Sequence, residues 1–108
     1  MELKNIPVYI PPEKFTQYAL DPVRQPDKAR AFRDALGYTK DNYRELIDNI
    51  YRHLDVSAFK YKRTNEDGDL YEYIVVLTGA NGKSANVLTA WINDKRKNEL
   101  RLITAHID

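Results

Sequence analysis

Two histidines, His53 and His106, and several groups of lysines and arginines carry most of the chemistry this 108-residue chain can offer. Imidazole titrates near neutral pH and is the usual general acid or base. His106 follows Thr104 in a strand-like run and is the candidate for that role. His53 closes a helical run, where a cation interacts favourably with the helix dipole, so a structural part is expected of it. Basic residues gather in three places: Arg24, Lys28, Arg30 and Arg33; Lys60, Lys62 and Arg63; and Lys95, Arg96, Lys97 and Arg101. Such groups neutralise phosphate, and the 8 tyrosines offer rings on which exposed bases stack. The plainer account is that these cations cover helix faces and keep strand edges from pairing.

Composition narrows the rest. With 0 cysteines there is no disulfide, no thiolate nucleophile and no thiolate-ligated metal. Two histidines do not make an all-histidine metal site, and no Ser-His-Asp arrangement is visible, so no metal and no cofactor are expected. The 17 Lys+Arg balance 16 Asp+Glu, for a net charge of +1, which excludes a strongly basic nucleic-acid arm and an acidic tail. Gly79-Ala80-Asn81-Gly82-Lys83-Ser84 evokes a phosphate loop. That loop needs a glycine where Leu77 stands and a helix after Ser84, so a hairpin turn is expected instead. No apolar run approaches the ~18 residues of a membrane span. Met1–Asn5 lacks the apolar stretch of a signal peptide, so a cytoplasmic location is expected.

Chemical groups need elements to hold them, and hydrophobic period supplies these. Val8-Tyr9-Ile10 reads as a short edge strand, stopped by Pro11-Pro12. Phe15, Tyr18 and Ala19 share a helical face, which predicts a short helix over 12–20. Asp21-Pro22 ends it, because a residue before proline avoids the helical region. A second helix over 26–36 has Pro26 in its first turn, a stripe of Ala29, Phe32, Ala35 and Leu36, and Gly37 just past its end. Thr39 reads as the N-cap of a third helix with a stripe of Tyr43, Leu46, Ile47, Ile50, Tyr51 and Leu54. From residue 57 the period falls to two. Strands are expected around Phe59–Tyr61 and over Leu70–Leu77, Asn86–Asn93 and Leu100–Ile107, with turns at Asp67-Gly68 and 78–83 and a charged loop over 94–98. The predicted fold is α+β: two or three N-terminal helices packed on a four-stranded antiparallel meander, one domain over 1–108.

In such a fold one sheet face lies under the helices, and the open face can carry a site. Strict alternation groups Glu72 with Leu70, Ile74 and Val76. It groups Thr89 and Trp91 with Val87, and Thr104 and His106 with Leu100 and Leu102. These sets are the more polar in their strands and are expected to line the open face. The alternative is that Thr and Trp are there as good strand formers.

Asp27-Lys28-Ala29-Arg30-Ala31-Phe32 followed by Leu36-Gly37-Tyr38 resembles the K-A-x-x-F…L-G-[YF] block of a small bacterial domain family of uncharacterised function. Leu88–Ile92 and Leu102–His106 resemble that family's V-x-T-x-W-I and L-V-T-A-Y-P strands, so the likeness runs over roughly 12–107. The family is similar in layout to the barnase–EndoU–colicin–RelE group of toxin ribonucleases. The resemblance implies a site made of Lys28, Thr89, Trp91 and Thr104. The family's H-P-x-G loop is replaced here by Asp21–Asp27, without His or Gly, and its C-terminal Tyr is His106, which is left to substitute as acid or base.

The expectation is therefore a toxin-type, ribonuclease-like domain that cleaves RNA without a metal. His106 would be the acid/base, with Lys28 and Arg30 stabilising phosphate and Arg24 assisting in binding. Thr89 and Thr104 would donate hydrogen bonds and Trp91 would stack on a base. The alternative is a non-catalytic binding or scaffold protein of the same fold, with a protein partner; an immunity-type protein is a third reading.

Overall fold

A computed structural model describes residues 3–108. Strand β1 (Val8–Tyr9) leads into a wide turn at Phe15–Ala19, then helices α1 (Pro26–Leu36) and α2 (Tyr43–His53). Strands β2 (Lys60–Asn65), β3 (Gly68–Thr78), β4 (Ser84–Asp94) and β5 (Glu99–Ile107) follow. The sheet order is β1-β5-β4-β3-β2. The α+β arrangement and the run of four antiparallel strands match the expectation. The sheet itself is five-stranded and mixed, because β1 pairs parallel to β5 through Val8↔Leu100 and Tyr9↔Arg101. The short edge strand expected at Val8–Ile10 is therefore present, as Val8–Tyr9, but its pairing with a partner far along the sequence is not something two residues reveal.

Both helices end as their residue types dictate. Pro26 occupies the first turn of α1, where its missing N–H is no loss. Gly37, at φ 76°, turns the chain out of the helix in the left-handed region that glycine enters freely. Thr39 Oγ1 accepts the Asp41 N–H at 3.2 Å, and Asn42 Oδ1 accepts the Thr39 N–H at 2.8 Å, a reciprocal cap ahead of α2. At the other end of α2, the His53 ring N–H donates to the Asn49 carbonyl at 2.8 Å, the structural part expected of it.

The short helix expected over 12–20 is present, but its second half is wound as a π-helix over Phe15–Ala19, with the Leu20 N–H bonded to the Phe15 carbonyl at 2.9 Å, five residues back. The wider turn sends Phe15 and Ala19 inward but leaves Tyr18 45% exposed. Phe15 meets Phe32 of α1 edge-to-face, ring centroids 6.4 Å apart.

The core lies between the helices and one sheet face. Ala29, Phe32 and Leu36 of α1 and Leu46, Ile47 and Ile50 of α2 supply the helical side. Tyr71, Val75 and Leu77, Val87 and Trp91, and Leu100, Leu102 and Ala105 supply the sheet side. Each fully buried large apolar side chain contributes about 1.5–3 kcal/mol relative to exposure. Asn49 pins α2 to the end of β3 by donating to Tyr38 Oη at 3.0 Å and to the Thr78 carbonyl at 2.9 Å. The β3–β4 turn packs directly on the end of α1: the Asn81 N–H donates to the Leu36 carbonyl at 3.3 Å.

The open face corrects a second expectation. Glu72, Ile74 and Val76 do face outward, Ile74 and Val76 at 48% and 62% exposure. Their β4 neighbours in the register are Ala90, Leu88 and Asn86, not Thr89 and Trp91. Thr89 and Trp91 pair with Tyr73 and Tyr71 on the helix-covered face and are wholly buried.

Candidate functional site

Thr89 and Trp91 belong to the core, and their polarity is satisfied there. Trp91 Nε1 donates to Thr89 Oγ1 at 2.7 Å, and that hydroxyl donates to the Tyr73 carbonyl at 2.6 Å. Phe59 packs against the indole at a centroid distance of 5.4 Å. Neither side chain can reach a substrate, so the hydrogen-bonding role of Thr89 and the stacking role of Trp91 are both overturned.

Thr104 and His106 have a different fate because β5 carries a bulge. Trp91 pairs with Leu102, whereas the preceding residue Ala90 pairs with Thr104, which leaves Ile103 as an extra residue. The slip reverses the facing of everything after it. Leu100 and Leu102 point to the core, while Thr104 and His106 share the open side with Ala90 and Leu88. Thr104 is exposed and His106 half-buried.

The same bulge borders a cleft of about 210 Å³. β1 covers the edge of β5 at Leu100 and Arg101, and beyond that point the Phe15–Ala19 turn and α1 flank the strand instead. Ile103, Thr104 and Ala105 form one wall, Tyr18 and Ala19 of the turn another, and Lys14, Gln25 and Lys28 the polar rim. Two predicted site residues, Lys28 and Thr104, thus meet in one hollow although α1 and β5 are far apart in sequence. Arg24 stands beside it, its guanidinium 5.7 Å from the Tyr18 ring centroid, and Lys14 Nζ is 6.0 Å from the same centroid.

The cations divide by their partners, and Arg24 beside the cleft is within 4.0 Å of Asp21. Arg30, Arg33, Lys40, Lys62, Lys95, Arg96 and Arg101 each have an acidic partner. Among the described residues Lys14 and Lys28 form no ion pair, and the cleft lining contains no carboxylate. The loop beneath the cleft is organised by Asp21, nearly buried. It accepts the Val23 N–H at 2.9 Å and has Lys40 Nζ at 3.5 Å and Arg24 Nε at 4.0 Å. The Val23 hydrogen bond, joined by the Lys40 charge, outweighs desolvation and holds the Asp21 carboxyl below its ordinary range.

Arg30 does not join Lys28. The two sit about 200° apart around α1, and Arg30 lines a separate cavity with Arg33 and Lys40. The grouping of Lys28 and Arg30 on one phosphate is therefore corrected. Lys14, Tyr18 and Gln25 are cleft residues that the sequence reading missed. Tyr18 was counted on an apolar helical face, and the four-residue spacing of Lys14 and Tyr18 was the available signal that they touch. No group of three or more His, Cys, Asp or Glu able to hold a metal ion occurs among the described residues.

The fold and cleft define a small α+β domain with a cationic hollow at a sheet edge. Over residues 2–108 the chain matches the family described as "Domain of unknown function (DUF6883)", and it belongs to that family. No curated protein and no solved structure matches it.

Proposed function

We propose that this domain binds the phosphodiester backbone of single-stranded RNA in the Lys28–Thr104 cleft and cleaves it without a metal, as a ribonuclease-like, toxin-type module. The observation that carries the reading is the pairing of Lys28 with Thr104 in one hollow, with Lys14 and Lys28 unpaired by any acid among the described residues. Lys28 neutralises a non-bridging phosphate oxygen and Thr104 Oγ1 donates to it. Tyr18, with Lys14 and Arg24 against its ring, offers an aromatic surface beside a positive field.

His106 is the acid/base of this reading. It follows Thr104 by two residues on the same strand face, roughly 6.6 Å along the chain. The imidazole takes the proton of the ribose 2′-OH, and that oxygen attacks phosphorus. The bond to the 5′-oxygen breaks, the leaving oxygen takes the proton from the imidazolium, and a 2′,3′-cyclic phosphate remains. A second reading, RNA binding without cleavage, is favoured by the cleft lining itself, which holds neither imidazole nor carboxylate.

One experiment separates the two. End-labelled single-stranded RNA is incubated in EDTA with the wild type, His106→Ala and Lys28→Ala, all purified identically. Cleavage by the wild type that is lost in both variants supports the ribonuclease reading. Binding that depends on Lys28, with no cleavage, selects the non-catalytic reading. Neither binding nor cleavage, or equal activity in all three, overturns both.

A further inference from the structure

The flank of α1 opposite Lys28 carries a second cavity, of about 380 Å³, inside the range of about 300–1,000 Å³ found for small-ligand sites. Its apolar lining is Leu20 and Ala29, both buried, with Pro22 and Pro26 exposed beside them. The two prolines have fixed φ and no side-chain freedom to lose on binding. Its rim carries three cations, Arg30, Arg33 and Lys40, with Thr39 and the single carboxylate of Asp41.

The rim cations are paired, but in ways that leave them able to turn inward. Arg30 meets Asp27 at 3.5 Å and Arg33 meets Asp34 at 3.0 Å, with every partner more than half exposed. Such surface pairs are worth about 0–1 kcal/mol. Lys40 is different: the nearly buried Asp21 holds its ammonium at 3.5 Å, fixing it at the mouth. A flat apolar group against Leu20, Ala29 and the two prolines would leave its charged end among these three cations. Arginine guanidinium groups suit phosphate or carboxylate oxygens in that position.

We infer that this cavity is a binding site for a small molecule that joins one flat ring to an anionic group, a phosphorylated aromatic or nucleotide-sized ligand. The site stands independently of whether the Lys28–Thr104 cleft binds RNA, because the two share no lining residue.

The probe is phenyl phosphate, titrated into the ¹⁵N-labelled protein, with inorganic phosphate and benzyl alcohol as half-ligands. Shifts are expected at the amides of Ala29, Arg30, Arg33 and Lys40, with phenyl phosphate binding at least about ten-fold more tightly than either half-ligand. Arg33→Ala and Lys40→Ala should each weaken it several-fold, whereas Lys28→Ala should leave it unchanged. The unperturbed remainder of each variant's spectrum reports that it is folded. Three results overturn the proposal: shifts confined to Lys28 and Thr104, affinity no greater than for inorganic phosphate, or affinity indifferent to Arg33 and Lys40.

Discussion

The indole N–H of Trp91 is bonded to the hydroxyl of Thr89, two residues back on the same strand face, at 2.7 Å. Through that hydroxyl the bond continues to the Tyr73 carbonyl of the neighbouring strand. The pair is a core device. Thr89→Val keeps the shape but strands the buried indole donor, and about 1–3 kcal/mol of stability should be lost. Thr89→Ser should recover most of it. Urea denaturation measures both, and RNA binding by the folded variants should equal that of the wild type.

The β3–β4 turn supplies a second contrast. A Cβ on Gly79 would lie 2.1 Å from the Leu36 carbonyl oxygen, so Gly79→Ala must push the turn off the end of α1. A Cβ on Gly82 meets nothing within 4 Å, and its φ of 80° is the whole difficulty there. Gly82→Ala should cost about 1–2 kcal/mol of left-handed strain. Gly79→Ala should lower the melting temperature further than Gly82→Ala, and the reverse order would show that the turn does not pack as described.

Acid should loosen the β4–β5 turn. Burial pushes the Asp94 carboxyl up, but the Arg96 N–H, the Arg101 guanidinium at 3.2 Å and the Lys97 N–H together hold it below its ordinary value of 3.8. A depressed carboxyl contributes stability that is complete above the unfolded value and is lost as pH falls through the folded one. The wild type should therefore lose stability below about pH 4. Asp94→Asn should be less stable at neutral pH and show a shallower acid loss, read by circular dichroism across a pH series.

If phosphates lie along the cleft, salt will report them. Lys28→Ala should reduce the slope of log affinity against log salt by about 0.7, the value for one single-strand phosphate. Lys95→Ala, remote from the cleft in the β4–β5 turn, should leave the slope unchanged.

Most of the scaffold was legible because its period was. The buried stripe Leu46, Ile47 and Ile50 of α2, the glycine after Leu36, the Thr39 cap and the outward set Glu72, Ile74 and Val76 all follow from residue type and spacing, whereas Tyr51 of the expected stripe is 40% exposed and Leu54 lies past the helix end. The site was harder to read for physical reasons. Thr89 looks polar in a sequence, yet its hydroxyl spends its hydrogen bonds inside the core. Strict alternation placed Thr104 with Leu102, and one inserted residue, Ile103, undid that grouping. Lys28 emerged from a resemblance. Its neighbours Lys14 and Tyr18 have the four-residue spacing of helical contacts, but the π-type winding that leaves Tyr18 exposed has no signature in that spacing. Arg30 shares a helix with Lys28 but not a flank, which only helical geometry separates.

The parallel pairing of Val8 with Leu100 ties β1 to a strand far along the sequence, a contact with a high loop-closure cost. Ile103, Thr104 and Ala105 lie on that same strand, so the cleft has no sheet wall until β5 is seated between β1 and β4.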